Sequence, residues 1–461
     1  MTTAGPGSAA GPVPGRLRVA IVAANTFEFE SRLLKTALTL AGDGHAVTVV
    51  AFAGDGLPDA ADLAERVHLR RIHLDRRIAL GLRPLPGPVR AALLRLTGLG
   101  PDADALPVRP ARGFDRLRAP LRRGLEVLAV VRRGGDWARA VADAAPGVDI
   151  VHAKALIALP VARTAARRTA GRDGRYVYDI ADLHTESARL VKLPAVLRSL
   201  VRRRERGWVR GAAGVLAATE AMSAEVARRF GVPPPIVLLN CPPAWRPEAP
   251  GPVRSERLAS ALGMTGDARR PIVLYQGAFR VDQGIEELVA ATDEPVFRAT
   301  GAVAAFLGFG QLRDWLEAQA VTRHGRMAVL PAVPEDELLD WTAGADVAFV
   351  GAPPRTLNQR LTLPNKLFQS LMAGVPIVVG TGTEHCRLTT NEEVGRCCDV
   401  DAPPSIAAAI GDLLGADPAD REALGAHCRT VALERYSWEA TRGGLVDLYR
   451  RLAAERWSVP E

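Results

Sequence analysis

The sequence predicts an α/β protein of two domains, each a mostly parallel sheet covered by helices on both faces. Three observations lead there. At 461 residues the chain exceeds what one hydrophobic core organises, so two domains of roughly 200 residues each are expected. Short apolar runs alternate with stretches of helical periodicity, the pattern of β-α-β units. Around Asn240 the sequence NCPPAWRPEAPGP carries prolines that forbid a continued helix or central strand, which marks a linker.

Taken in order, residues 1–16 read as a flexible tail. They lack both the apolar core of a signal peptide and the length of a membrane span, which favours a cytoplasmic address. The first domain, 17–245, opens with the strand LRVAIVA at 17–23, a helix through Leu33, Leu34, Ala37, Leu38 and Leu40, the turn GDGH, and a strand at 46–52. Further strands are expected at 149–152 and 176–180. The second domain, 246–430, repeats the alternation: strand 272–276, helix 284–291, strand 303–307, helix 311–320, then strands at 327–330, 347–350 and 377–379. Residues 431–461 form a terminal helix expected to pack back on the first domain. Parallel sheets of this kind place ligands at the carboxyl ends of their strands, so the two domains face a cleft. No short internal repeat is present, which excludes a solenoid.

Charge and cysteine usage narrow the function classes. The formal net charge of +8 is concentrated in two arginine-rich regions, 70–139 and 198–210. The first contains a basic insertion at about 76–139 that mixes Arg with Leu and Val. It suits an anionic membrane surface; the alternative is a solvated insertion whose apolar residues pack on the domain. Nucleic acid is disfavoured, because neither region interleaves aromatics with its arginines and no zinc finger or RNP-like sequence occurs. Cys241, Cys386, Cys397, Cys398 and Cys428 are odd in number and lack CxxC spacing, so free thiols are expected, with no disulfide framework and no metal site.

The stretch LTLPNKLFQSLMAGVPIVV at 361–379 builds a site: a loop, a helix and a buried strand. Pro364 fits the first helical turn, and Gly374 with Pro376 fits the stop. Leu367, Phe368, Leu371 and Met372 form an apolar stripe, while Lys366 and Gln369 share another face near the helix start. A cation, an amide and the free N–H groups at Asn365 suit a phosphate-bearing ligand. Gly277, Gly308 and Gly310 follow strands, as turn glycines or as places of close ligand approach. His152 reads as a satisfied, half-buried histidine, and Asp182, at the carboxyl end of a strand, as an acceptor-side residue or a solvated loop acid. Glu286 and Glu287 read as solvent-facing residues of a first helical turn.

Together these segments resemble the GT-B-fold glycosyltransferases and, within them, the retaining glycosyltransferase family 4. The likeness runs over 17–452. It rests on FEFESRLLKTALTLAGDGHAVTVVA, DIVHAK, YVYDIADLHTE, VLYQGAFRVDQGIEELVAA, FLGFG, LPAVPEDELLDWTAGADVAFV, LPNKLFQSLMAGVPIVVG and YSWEATRGGLVDLYRRL, in that order and spacing. The resemblance implies two Rossmann-like domains facing a cleft. It implies transfer of a sugar from a nucleoside-diphosphate sugar, held mainly by the second domain, to an acceptor held mainly by the first. No metal and no cofactor is implied, the nucleotide sugar being a substrate. The leaving diphosphate is then met by basic side chains and helix N-termini.

The resemblance assigns donor binding to Gly277, Arg280, Gln283, Gly308, Asn365, Lys366 and Gln369, and catalysis to Asp182 and His184. Asn358, Gln359 and Arg360, in the loop before Pro364, are expected to hydrogen-bond sugar hydroxyls or to pair with a second phosphate. This chain has Gln283 where the family places Lys or Arg, Gln369 where a Glu grips the ribose, and Leu361 where another acid is common. In Asp179, Ile180, Ala181, Asp182 the customary histidine of D-x-H-[DE] is Ala181, with His184 and Glu186 close by. Two functions follow. One is an active glycosyltransferase, peripheral on the inner membrane face where the acceptor is lipid-linked. The other is a catalytically degenerate relative that binds or scaffolds another glycosyltransferase.

Overall fold

The computed structural model describes residues 15–28, 30–74, 135–187, 194–246, 248 and 253–457. Most of the expected basic insertion, over 76–134, lies outside the described residues. Among the described residues fourteen strands form two sheets. The first contains β1 (Arg18–Val22), β2 (Ala46–Phe52), β3 (Ala60–Ala64), β4 (Val67–Ile72), β5 (Ile150–Lys154), β6 (Arg175–Ile180), β7 (Gly214–Ala217) and β8 (Ile236–Val237), in the order β3-β4-β2-β1-β5-β6-β7-β8. The second contains β9 (Ile272–Ala278), β10 (Val303–Phe309), β11 (Met327–Leu330), β12 (Val347–Val350), β13 (Ile377–Gly380) and β14 (Gly395–Cys398), in the order β11-β10-β9-β12-β13-β14.

Every neighbouring pair is parallel except β3–β4, an antiparallel hairpin on the edge of the first sheet. The sequence reading missed that hairpin, whose side chains are half polar. In each sheet the strand order reverses once, between β1 and β5 and between β9 and β12. A crevice opens at such a reversal, outside the carboxyl ends of the strands, because the flanking helices depart to opposite faces.

Alternation along each strand fills a core on both faces. Val19 and Ile21 point to one core and Ala20 and Val22 to the other; β9 divides Ile272 and Leu274 from Val273 and Tyr275 in the same way. The face of Val19, Ile21, Val47 and Val49 is covered by Trp438 and by Leu445, Leu448, Tyr449 and Leu452 of the terminal helix Gly443–Trp457. Each such side chain, once fully buried, contributes about 1.5–3 kcal/mol. Tyr449 also bonds His152 through its hydroxyl, 2.9 Å from Nδ1. His152 is therefore wholly buried, not half-buried as the sequence suggested.

Two further features tie distant segments. Arg32, in the helix Ser31–Gly42, makes a two-pronged bond to Asp179 at 2.6 Å on both oxygens and donates to Leu238 O at 2.8 Å. Burial alone would raise the Asp179 carboxyl, yet the Arg32 charge holds it well below the usual range. Cys386 and Cys397 form a disulfide, with Cα atoms 5.5 Å apart. That overturns the expectation of free thiols: the helix Glu384–Asn391 and a short turn fold β14 back alongside it, a proximity that spacing does not reveal. Cys241, Cys398 and Cys428 remain free and buried. Among the described residues no helix is long and apolar enough to cross a membrane.

Candidate functional site

At the reversal point of the second sheet the carboxyl ends of β9 and β10 lie in register, Gly277 beside Gly308. Gly277 is exposed with φ 114°, and a Cβ there would meet nothing within 4 Å. A Cβ on Gly308 would fall 1.9 Å from the Gly277 carbonyl oxygen, so only glycine permits this approach. The result is a ledge of bare backbone. Arg280 stands exposed just beyond it.

The helix Asn365–Met372 faces this ledge. Pro364 occupies the N-cap, one place earlier than expected, and no side chain caps the first turn. Leu367, Phe368, Leu371 and Met372 are buried as the stripe requires. Lys366, on the other face, is half-buried with Nζ 3.9 Å from the centroid of the Tyr275 ring, a cation–π contact. Burial, and then the nearby Arg280 charge, push its ammonium down to about 7. Neither Lys366 nor Arg280 has a carboxylate partner among the described residues.

Gln369 is half-buried, and its amide lies 3.2 Å from that of Gln276 at the end of β9. Gln276 is only 3% exposed and meets the Thr342 hydroxyl at 2.6 Å. Asn365 Oδ1 accepts from Asn240 Nδ2 at 2.6 Å, joining the helix start to the chain crossover. Sequence reasoning missed Gln276, although a single polar residue in the apolar run IVLYQGA was a signal.

The loop between β12 and that helix behaves differently from expectation. Gln359 closes a capping box with Thr356, Oε1 accepting from the Thr356 N–H at 2.9 Å. Asn358 reaches across to the first domain, donating to Asp182 Oδ1 at 2.9 Å and accepting from Leu183 N at 2.6 Å. Arg360 donates to Pro354 O at 3.0 Å. Asn358 and Gln359 are thus committed within the protein. Gln283 Nε2 donates to the Asp282 carbonyl at 3.3 Å. Glu286 and Glu287 are half-buried, and Glu287 pairs with Arg355 at 3.3 Å, so they do not simply face solvent.

On the first domain, Asp182 is exposed and His184 half-buried. His184 Nδ1 lies 2.9 Å from the Asp182 carbonyl oxygen. A carbonyl only accepts, so Nδ1 carries the hydrogen that faces Asp182 O. Glu186 is held by Arg202 and by Arg229, the latter at 2.9 Å; burial alone would raise its carboxyl, but the two guanidiniums hold it below the usual range. Asp179, committed to Arg32, is structural.

Glu30 and Lys154, unremarked in the sequence, pair at 2.6 Å at the reversal point of the first sheet, and Asn25 donates to Glu30 at 2.6 Å. Phe27, Ala155 and Asp282, none of them glycine, take φ of 67°, 74° and 63° just past β1, β5 and β9. Such strained backbone gathers where a loop is shaped for a ligand.

Residues 270–416 match the family model described as Glycosyl transferases group 1. No curated protein matches the chain. Among solved structures it is similar to sucrose-phosphate synthase from Thermosynechococcus elongatus, at 17% identity and a TM-score of 0.65, covering 95% of this chain and 100% of that one. It is also similar to WaaG, a glycosyltransferase involved in lipopolysaccharide biosynthesis, at 14% identity and a TM-score of 0.57 over 96% and 100% of the two chains. Anabaena HepE in complex with UDP-glucose gives 13% identity and a TM-score of 0.56 over 96% and 100%. With two doubly wound sheets and these likenesses along nearly its whole length, the chain has the GT-B glycosyltransferase fold, and its second domain carries the glycosyl transferases group 1 match.

Proposed function

We propose that this protein is a glycosyltransferase that moves a sugar from a nucleoside-diphosphate sugar to an acceptor without the help of a metal ion. One observation carries the reading: Arg280 and Lys366 stand beside the bare ledge of Gly277 and an uncapped helix start with no carboxylate to neutralise them. Unpaired cations and a helix N-terminus stabilise the charge that develops on a departing diphosphate. The complexes of HepE with UDP and with UDP-glucose support a nucleotide sugar as ligand. In this reading the bond from the anomeric carbon to the diphosphate oxygen breaks towards Arg280 and Lys366. The acceptor oxygen takes its place on that carbon, and its proton passes to His184 Nε2 or to Asp182. Gln369 and Asn365 serve the ribose and phosphate ends of the donor.

A thermal-shift panel of UDP-, GDP- and dTDP-sugars tests the reading, because a ligand at a hundred times its dissociation constant adds about 2.7 kcal/mol of stability. The second reading, a non-catalytic scaffold for another glycosyltransferase, is favoured by Leu361, Ala181 and the neutral Gln283, whose amide is bonded to the Asp282 carbonyl. It replaces the first if no nucleotide sugar raises the melting temperature while a protein partner does. Peripheral membrane association is supported by the helix Ala195–Arg210, which exposes Val196 and Leu200 beside Arg203 and Arg204. Flotation with anionic but not neutral liposomes is the expected result.

A further inference from the structure

We infer that Glu30, Lys154 and Asn25 form the acceptor subsite, and that it takes a neutral ring bearing neighbouring hydroxyls, a sugar or a cyclic polyol, in preference to a phosphorylated one. This rests on the donor-site reading above, which leaves the other half of the cleft to the acceptor. Glu30 is the N-cap of the helix Ser31–Gly42, in the loop after β1, and Lys154 ends β5. The first sheet reverses between these two strands, so both side chains meet at the crevice where a ligand of this sheet belongs. Lys154 Nζ donates to Glu30 Oε2 at 2.6 Å, and Asn25 Nδ2 donates to Glu30 Oε1 at 2.6 Å. The Glu30 and Lys154 side chains are 16% and 24% exposed, held in place yet open to a ligand.

Backbone bonds set the surrounding loops. Asn25 Oδ1 accepts from Phe27 N at 3.0 Å, and the Asn25 carbonyl accepts from Phe52 N at 2.8 Å. Across the crevice Ala155 N donates to Asp179 O at 3.3 Å. The ion pair thus keeps spare hydrogen-bonding capacity. A carboxylate has about four lone-pair positions and an ammonium three hydrogens. Two of the former and one of the latter are used, which leaves about two acceptor positions and two donors. A hydroxyl both gives and takes a hydrogen, so two hydroxyls on adjacent carbons match that remainder.

Charge balance decides against a phosphate. The donor side presents the cations Lys366 and Arg280 at an uncapped helix start. On the acceptor side the cations are matched: Lys154 by Glu30, Arg32 by Asp179, and Arg202 and Arg229 by Glu186. Arg71, on β4 two strands along, is spent on the carbonyls of Thr26 and Pro58. Asp182 and Glu28 add exposed negative charge. A phosphate here would have to take Lys154 from Glu30, whereas a neutral diol bonds to both.

The test is ligand-observed NMR on the full chain saturated with UDP or GDP. It is titrated with methyl α-glucoside, methyl α-mannoside and myo-inositol, which separate a sugar from a cyclic polyol, and with the phosphates of the same rings. Wild-type protein should bind at least one neutral ligand about tenfold more tightly than its phosphate, roughly the worth of one charged hydrogen bond. Glu30→Gln keeps the shape but frees the Lys154 charge, and should move that ratio about tenfold towards the phosphate. Lys154→Met should weaken the neutral ligand about tenfold while the phosphate stays excluded. A merely structural pair would move melting temperature and both affinities together and leave the ratio alone. A wild-type preference for the phosphates, no binding of any neutral ligand to the nucleotide-loaded chain, or an unchanged ratio in Glu30→Gln overturns the inference. Wild-type protein that binds neither nucleotide overturns the donor-site reading instead, an outcome seen before any acceptor is added.

Discussion

Raising the pH from 7 to 9 should strip the nucleotide site of the charge on Lys366 and leave Arg280 as its fixed cation. Lys366 titrates at about 7 because burial, and then Arg280, disfavour its ammonium. A diphosphate beside it favours the ammonium, so the bound lysine stays protonated and binding takes up a proton. The sign follows: affinity is full below the free-state value and falls about tenfold per pH unit above it. At pH 7 half the free lysines are charged and at pH 9 about one in a hundred, a loss of about fiftyfold, or about 2.3 kcal/mol. The second ionisation of a nucleotide phosphate, near pH 6, lies below this window.

Isothermal titration of UDP or GDP in two buffers of different protonation enthalpy gives both readouts, and at pH 8 about 0.9 protons should be taken up per nucleotide bound. Lys366→Arg should bind with no such slope, since a guanidinium stays charged throughout. Lys35, lowered to about 8 by burial, also titrates in this range, but it sits against Cys241 and Trp438 in the first domain and contributes equally to both proteins. Equal dissociation constants at pH 7 and 9, or the same slope in Lys366→Arg, would refute the reasoning.

Other consequences are as accessible. Arg280→Ala should weaken nucleotide binding by more than an order of magnitude, as a charged hydrogen bond is worth about 1.5–3 kcal/mol; unchanged calorimetry removes Arg280 from the site. Asp179→Ala leaves Arg32 buried without its carboxylate and should cost about 3–5 kcal/mol in urea unfolding, and a loss below about 1 kcal/mol would contradict the burial of the pair. Gly308→Ala drives a methyl into the Gly277 carbonyl, 1.9 Å away, and should destabilise by about 1–3 kcal/mol while abolishing nucleotide binding. Unfolded protein should show three reactive thiols without reductant and five with it; Cys386→Ser should cost about 3 kcal/mol for a loop of this length, and five thiols without reductant would remove the disulfide.

The sheets were legible where strands are buried on both faces. Runs such as RVAIV and VAAFLGF have few other ways to bury themselves, and proline and glycine punctuate them. The β3–β4 hairpin and β14, with the sequence GRCC, were not, because edge and short strands carry mixed side chains whose fate is set by neighbours far along the chain. The site divided in the same way. Lys366 was visible from its place in a proline-started helix, but nothing in the sequence announces the Tyr275 ring beneath it, 91 positions away by number. The Gln276 contact to Gln369 spans 93 positions, and the Arg32–Asp179 pair spans 147. Asn358 and Gln359 looked like ligand donors by residue type. Their own backbone and the opposite domain claimed them first, a competition that composition does not display.

The terminal helix closes the core of the domain that begins the chain, and this sets an order in time. On the ribosome β1, β2 and β5 to β8 are complete once Val237 has emerged, while Leu445 and Tyr449 are still about 200 residues from being made. At about 5–20 residues per second the apolar face of Val19, Ile21, Val47 and Val49 waits on the order of 10–40 s for its cover. In that interval the second domain, whose core draws on no hydrophobic residue before Leu239, can form first. The nascent first half is therefore the stage at which chaperone capture and aggregation compete, and a ribosome stalled anywhere before Gly443 leaves it exposed.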